Sequence, residues 1–535
     1  MLRIATVCLL ALSATTAAAQ FLDNGVVRVG VDLARGGAIS YLSESGSTRN
    51  VVNVRDLGRY VQQSYYSGPD PFVPDGAVQH PAYPGWGWNP VQAGDVYGYP
   101  STLVDFSVEA DTLYVKSVPR QWALNGVDTA ATSETWVHLD ENRVHLRCRL
   151  VNARPDTTRY PARNQELPAV YTIGELHRLF TYTGDAPFTG DTLTQIVNSG
   201  PPWEYWSSTE NWSALVDDEG WGLGVFHPGA QLTVGGFSGV PGTGGPYQTP
   251  TGYVSPLHTD VIDHDIVYEY EATLILGTLE EIRAHAVANR APVGPRLDFA
   301  RDRQHCFGRN LTDDAPPYDG RWTLHLDVAD PQVMLPPGHW NASDVPLLEI
   351  VAAHRTTDDR AELYFAGPGE SFSGTRRLEI PVVPDGTVRT YRIDLSAHPE
   401  YTGVVSKLRF DPVVQAQPGD EVDLIALRVP EATDAAPAPR STAALSIESV
   451  HPNPFNPLTT VRWRVKHATT VDVEVLDAAG RRVATLATGR DVTAGAHTTR
   501  WDGRDDGGMA VASGVYHVRV STPAATRTSR VVLVR

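Results

Sequence analysis

Along most of this chain, short runs of apolar side chains either alternate with polar ones or cluster for the length of a strand. GVVRVGVDL, TLYVKSV, TWVHL, RVHLRCRLV, WSALV and YEYEATLIL, all before residue 277, follow this pattern and predict strands joined by turns. One helix is predicted after them. Thr278 and Glu281 have the spacing of a capping box, Leu279, Ile282 and Ala286 form an apolar stripe, and Pro292 forbids continuation. A second series, TLHLDV, LLEIVAAH, AELYFA, RRLEIPVV, TYRIDLS, KLRFDPV and DLIALRV, predicts a two-sheet sandwich of jelly-roll type over 296–430. Residues 431–444 are Pro/Ala-rich without periodicity and read as a linker. Alternation then resumes over 445–535. The chain is therefore expected to be all-β.

Composition narrows the partners. The 535 residues exceed one core, so two to four domains are expected. A net charge of −18 argues against nucleic acid, whose phosphates require a basic face. The opening MLRIATVCLLALSATTAAAQ has a basic start at Arg3, an apolar run and small residues through Ala19, which is the pattern of a secretory signal over 1–19. That run is shorter than the roughly 20 residues a membrane span needs, and no later run reaches that length. A secreted or cell-surface protein without a membrane span in its mature form is expected. Cys148 and Cys306 would remain after cleavage and could pair. No clustered His/Cys metal spacing, nucleophile elbow or phosphate loop is present, and neither metal nor cofactor is expected.

The candidate chemistry lies between residues 53 and 253. DLGRYVQQSYY (56–66) is too polar on both strand faces for an ordinary core strand, and PGWGWNPVQAGD, RNQELPAVY and PPWEYWSSTENWSALVDD also join Trp or Tyr to amides and carboxylates. Such segments suit the walls of a cleft for sugar rings, whose C–H faces pack on aromatics and whose hydroxyls need donors and acceptors. Arg59, Gln62, Tyr66, Trp88, Asn89, Gln165, Tyr171, Trp206 and Trp212 are the candidate binding residues, and Trp86 and Trp203 stand in similar loops. A polysaccharide lyase would use Tyr65 as base beside Arg59, or His177 instead. A glycoside hydrolase would draw two carboxyls from Glu166, Glu204 and Glu210. A non-catalytic glycan-binding protein would need the aromatics alone. Trp122, Trp136 and Trp221 read as core residues, Trp322, Trp340 and Tyr401 as exposed aromatics of the second sandwich, and Asp260, Asp263, His264 and Asp265 as a polar turn.

Two family resemblances follow. HPNPFNP, VDVEVLDAAGRRVATL, AGAHTTRWDGRDDGG and ASGVYHVRV, over 445–535, resemble the FlgD-type immunoglobulin-like domain, which overlaps the type A sorting domain of type IX secretion. This implies a sandwich with Trp501 and Tyr516 in its core, and outer-membrane secretion machinery as partner. GVVRVGVDLARGGAISYLS, DLGRYVQQSYY, WNPVQAGD, QELPAVY and the closing helix resemble a secreted family with a galactose mutarotase-like β-supersandwich, assigned here to 20–295. That resemblance implies carbohydrate recognition, with a polysaccharide or oligosaccharide as ligand. No segment matches the His and Glu motif of the mutarotases.

Overall fold

The computed structural model describes residues 20–109, 111–430 and 445–534, the last without 452, 454, 466, 478, 479 and 524. The expected signal (1–19) and linker (431–444) lie outside the described residues. The chain forms two compact units, Met1–Pro430 and Glu431–Arg535.

In the first unit, ten strands among the described residues form one sheet. Its main path runs Gln20–Asp23, Val27–Asp32, Ala38–Glu44, Val61–Ser64, Arg163–Ile173, Thr251–Asp260, Leu232–Ser238, Glu204–Ser207. A nine-stranded sheet, with Val267–Thr278, Arg143–Asn152 and Ala131–Asp140 at its centre, packs against it. The alternation explains the packing. Val144, Leu146, Cys148 and Leu150 face Val29, Val31 and Ile39 of the other sheet in a single core, while Arg147 and Arg149 point outward to Glu269. Trp136 points outward with them, its ring 4.9 and 5.1 Å from the two guanidinium carbons. Trp122 is also half-buried, so neither it nor Trp136 is the core residue expected, whereas Trp221, half-buried as well, packs against the core.

The helix Leu279–Ala288 opens on the Thr278/Glu281 capping box. It buries Ile282 and Ala286 against Trp212, Val216 and Phe226 on the outer face of the nine-stranded sheet. Gly224 lies beneath it, where a Cβ would strike the Ile282 side chain.

Beyond residue 295, six- and five-stranded antiparallel sheets enclose Trp322, Leu363 and Phe410. Trp322, Trp340 and Tyr401 are 0 %, 6 % and 5 % exposed, which corrects their reading as exposed aromatics. This sandwich is tied to the first through a loop in which Gln304 and His305 both adopt left-handed backbone angles (φ 50° and 61°). Arg303 donates to Asp263 and Asp313 at 2.6 Å each, and His305 contacts Asp260 at 3.1 Å. The supposed polar turn at 260–265 is thus where the first sandwich holds the second. Cys148 and Cys306 are buried and free.

In the second unit, three strands (Leu445–His451, Thr459–Val465, Gly495–Trp501) face four (Arg482–Val492, Thr469–Asp477, Gly514–Thr522, Ala525–Leu533). Trp501 and Tyr516 meet edge to face at 5.1 Å within their core.

Candidate functional site

The polar stretch at 56–66 is a strand only over Val61–Ser64, because Tyr60 enters it with a left-handed φ of 81°. Neither face of that four-residue strand lines a cleft; of the stretch, Tyr66, just beyond the strand, does. Gln62, Gln63 and Tyr65 are 3 %, 2 % and 1 % exposed. The Gln62 amide donates to the Leu57 carbonyl and accepts from the Ala93 N–H. Gln63 donates to Glu134 O and Thr135 Oγ1 on the opposite sheet, and the Tyr65 hydroxyl donates to Gln63 Oε1 at 2.7 Å. Burial pushes the Tyr65 phenol well above its ordinary pKa, with no cation beside it. Arg59 is elsewhere, paired with Asp56 and donating to the Gln248 and Thr249 carbonyls. The Tyr65/Arg59 base set is not assembled.

Most of the other candidates are structural. Trp88 and Trp212 are 1 % exposed and Trp206 is 8 % exposed. Gln165 is buried and bridges the two main-chain polar groups of Tyr66. Asn89 is buried between Tyr65 O and the Trp86 indole N–H. Glu210 is fully buried, accepting from the Phe188 N–H, the Trp212 indole and Arg283 at 2.7 to 3.0 Å. His177 packs edge-on to Phe237, its Nε2 3.4 Å from Asp218. Glu204 is exposed on the edge strand.

Glu166 and Tyr66 do meet. They lie in an open cleft of about 680 Å³ on the face of the ten-stranded sheet turned away from the shared core. Glu166 is half-buried, opposite Ser64 on one neighbouring strand and Leu257 on the other. A register shift between Glu166 and Val170 interrupts the ladder, so Leu167 and Val170 enter the core while Glu166 and Tyr171 lie on the cleft side. Val234, Tyr253 and Leu257 form the floor with Ala169 packed against them, and the Tyr171 and Tyr253 rings stack at 4.6 Å. Trp203, 5.2 Å from the Tyr253 ring, forms one wall with the 60 %-exposed Tyr205, and Trp86 forms another.

The Tyr253 hydroxyl donates to Glu166 Oε1 at 2.5 Å. Burial raises the Glu166 carboxyl above its ordinary value, and the Tyr253, Ser64 and Tyr66 hydroxyls partly offset this by hydrogen-bonding the anion. Tyr66 is itself pushed well up, first by burial and then by Glu166, so in the free protein it is a hydrogen-bond donor rather than a base. Arg163 stands at the rim, ion-paired with Asp70 in an adjoining recess. Gly87 allows that approach, since any Cβ there would overlap Asp70 Oδ1. Among the described residues lining the main cleft, Glu166 is the one carboxylate.

Tyr253, Tyr205, Arg163 and Asp70 escaped the sequence reading. Tyr253 sits in TGYVSPLHTD, a strand buried on both faces, where no alternation separates cleft from core. Among the described residues, no cluster of three or more His, Cys, Asp or Glu is placed to hold a metal ion, and no helix is long and apolar enough to cross a membrane.

This geometry belongs to a multi-sandwich all-β protein with an aromatic cleft around a single carboxyl. Residues 459–525 match the FlgD Ig-like domain family. No curated protein matches the chain. Part of the chain is similar to many solved structures, among them the following three. A putative aldose 1-epimerase from Escherichia coli K12 is 12 % identical, with 49 % of this chain and 99 % of that chain covered, at a TM-score of 0.32. A galactose mutarotase related enzyme from Lactobacillus acidophilus is 10 % identical over 48 % and 97 %, at 0.30. A GH36 alpha-galactosidase from Geobacillus stearothermophilus is 11 % identical over 49 % and 40 %, at 0.31.

Proposed function

We propose that the protein is a secreted glycan-binding protein that processes an extracellular polysaccharide, with Glu166 donating a proton to an oxygen of the bound sugar. One observation carries this reading: a carboxyl raised by burial stands in a cleft floored and walled by Tyr253, Trp203, Tyr205, Tyr66 and Trp86. The rings supply faces for sugar C–H groups, and the hydroxyls and Arg163 supply donors for sugar oxygens. A raised carboxyl keeps its proton to higher pH, as a general acid must.

The test incubates the mature protein with uronate-containing and neutral polysaccharides, following absorbance at about 232 nm for the unsaturated product of a lyase, and reducing ends for either a lyase or a hydrolase. Glu166→Gln is expected to keep binding and lose turnover by about 10²–10⁴-fold. Turnover at the wild-type rate in that variant would remove Glu166 from the chemistry. A second reading, binding without turnover, draws on the commitment of the neighbouring acids. Asp70 is neutralised by Arg163 and Glu210 is sealed against Arg283, so no second free carboxyl faces Glu166 among the described lining residues. Retained binding with neither signal selects that reading.

Export through the C-terminal unit is part of the proposal and draws on the FlgD Ig-like match. Deleting 445–535 is expected to retain the protein inside the producing cell, and normal export of the truncated chain would refute the sorting role.

A further inference from the structure

The two sandwiches of the first unit border another cavity, of about 540 Å³, which shares no lining residue with the Glu166 cleft. The first sandwich contributes the Asp185–Thr189 loop, the turn at 228–231 and the connector at 290–297, and the second contributes the loop from Leu335 to Asn341. The volume lies in the range of small-molecule sites.

Its polar lining is unfinished. His258, 3 % exposed, lies face to face with His305 at 3.8 Å, yet its Nε2 has no hydrogen-bond partner. His339, which also borders the cavity, has an unpartnered Nε2 as well. A buried nitrogen without a partner is destabilising, a cost that a ligand would remove. Gly229 fronts His258: a Cβ there would stand 3.4 Å from Nε2, so the bare glycine leaves space beside that buried nitrogen. Gln231, by contrast, is satisfied once its amide is turned so that the nitrogen donates to Gly338 O at 2.7 Å and the oxygen accepts from the His339 N–H at 3.0 Å.

The remaining lining indicates the ligand. Asp185 and Asp344 balance Arg290 and Arg296 in charge, which favours a neutral molecule. Prolines from both sandwiches and Trp340 present C–H and aromatic surface suited to the face of a ring. A hydroxyl, both donor and acceptor, satisfies an imidazole nitrogen in either tautomer. We propose that this cavity is a second binding site, for a neutral hydroxylated ring of mono- or disaccharide size, with His258 and His339 hydrogen-bonding its hydroxyls. Burial lowers the pKa of both imidazoles, which keeps them uncharged as such a ligand requires.

The test uses the full mature chain carrying Trp203→Ala, which removes a wall of the Glu166 cleft and so impairs binding there, together with Glu166→Gln, which stops turnover. Glucose, galactose, mannose, maltose and cellobiose are titrated calorimetrically. At least one is expected to bind with a Kd below about 10 mM, and His258→Phe, which preserves the ring stack on His305, is expected to weaken it about tenfold. Gly229→Leu, on the cavity lip, is expected to abolish binding and carries the test should the His258 variant fail to fold. Absence of binding by all five sugars, or binding indifferent to both substitutions, overturns the second site. Neither result touches the Glu166 cleft, whose own test is turnover.

Discussion

Replacing Arg303 by Met probes the junction of the two sandwiches. Its guanidinium, on a side chain 7 % exposed, gives charge-assisted hydrogen bonds to Asp263 and Asp313 on side chains only 3 % and 7 % exposed. Two such bonds are worth about 1.5–3 kcal/mol each, and removing one partner of a buried ion pair costs about 3–5 kcal/mol because the other charge is left desolvated. Arg159 still reaches both carboxylates but is 32 % exposed, so it offsets part of the loss. The net expectation is a destabilisation of about 3–5 kcal/mol. Urea unfolding of wild type and variant, followed by circular dichroism and tryptophan fluorescence, measures it. Arg303→Met combined with Asp313→Asn should recover part of the loss. The uncharged amide introduced there can still accept from the Trp322 indole, which stands 2.7 Å from the Asp313 carboxylate in the wild type. A loss below about 1 kcal/mol, or no recovery in the double variant, would refute the reasoning.

Tyr253→Phe removes the donor that holds the Glu166 anion, so the alkaline limb of any Glu166-dependent turnover should move to higher pH; an unmoved limb in a pH–rate profile counts against the assignment. Burial holds His227 at about 3 and His258 well below its ordinary value near 6.5, so an unfolded chain takes protons there that the folded one refuses. Stability should therefore fall as pH drops below 6.5, by up to about 1.4 kcal/mol per unit for each group, and His227→Phe with His258→Phe should flatten that slope in urea titrations between pH 6.5 and 4.5. His305, raised by Asp260, acts oppositely: its contribution is complete below 6.5 and is lost as pH rises through its folded value. Thr278→Ala removes one half of the capping box and should cost about 1 kcal/mol in the same unfolding assay, with Thr278→Ser close to neutral.

What the sequence made legible was mostly local. The capping box needs two residues three apart, and the strands before residue 277 needed only alternation, so both could be read directly. Glu166 and Tyr66 stood out because each lies beside other polar aromatics or amides. Tyr65 misled because its partner, only two residues away, is itself held by long-range contacts. Only the fold shows that Gln63 takes its hydroxyl while binding Glu134 and Thr135 seventy residues away. Tyr60 turning left-handed, and the ladder slipping after Glu166, re-aim side chains in ways no period-two pattern encodes. Trp136 shows the converse, a large apolar residue kept outward by two arginines.

The amide-rich strand at 61–64 also fixes alignment. An alternating apolar strand can slide by two residues and keep its buried face, because one Val resembles the next. Gln62 and Gln63 cannot, since each serves main-chain or side-chain groups at fixed positions on surrounding segments, and such a slide would leave every one of those groups unanswered. The strand therefore acts as a key in a lock between two sheets: it contributes less to how tightly they hold than to ensuring that Glu166, one strand over, arrives within reach of the Tyr253 hydroxyl.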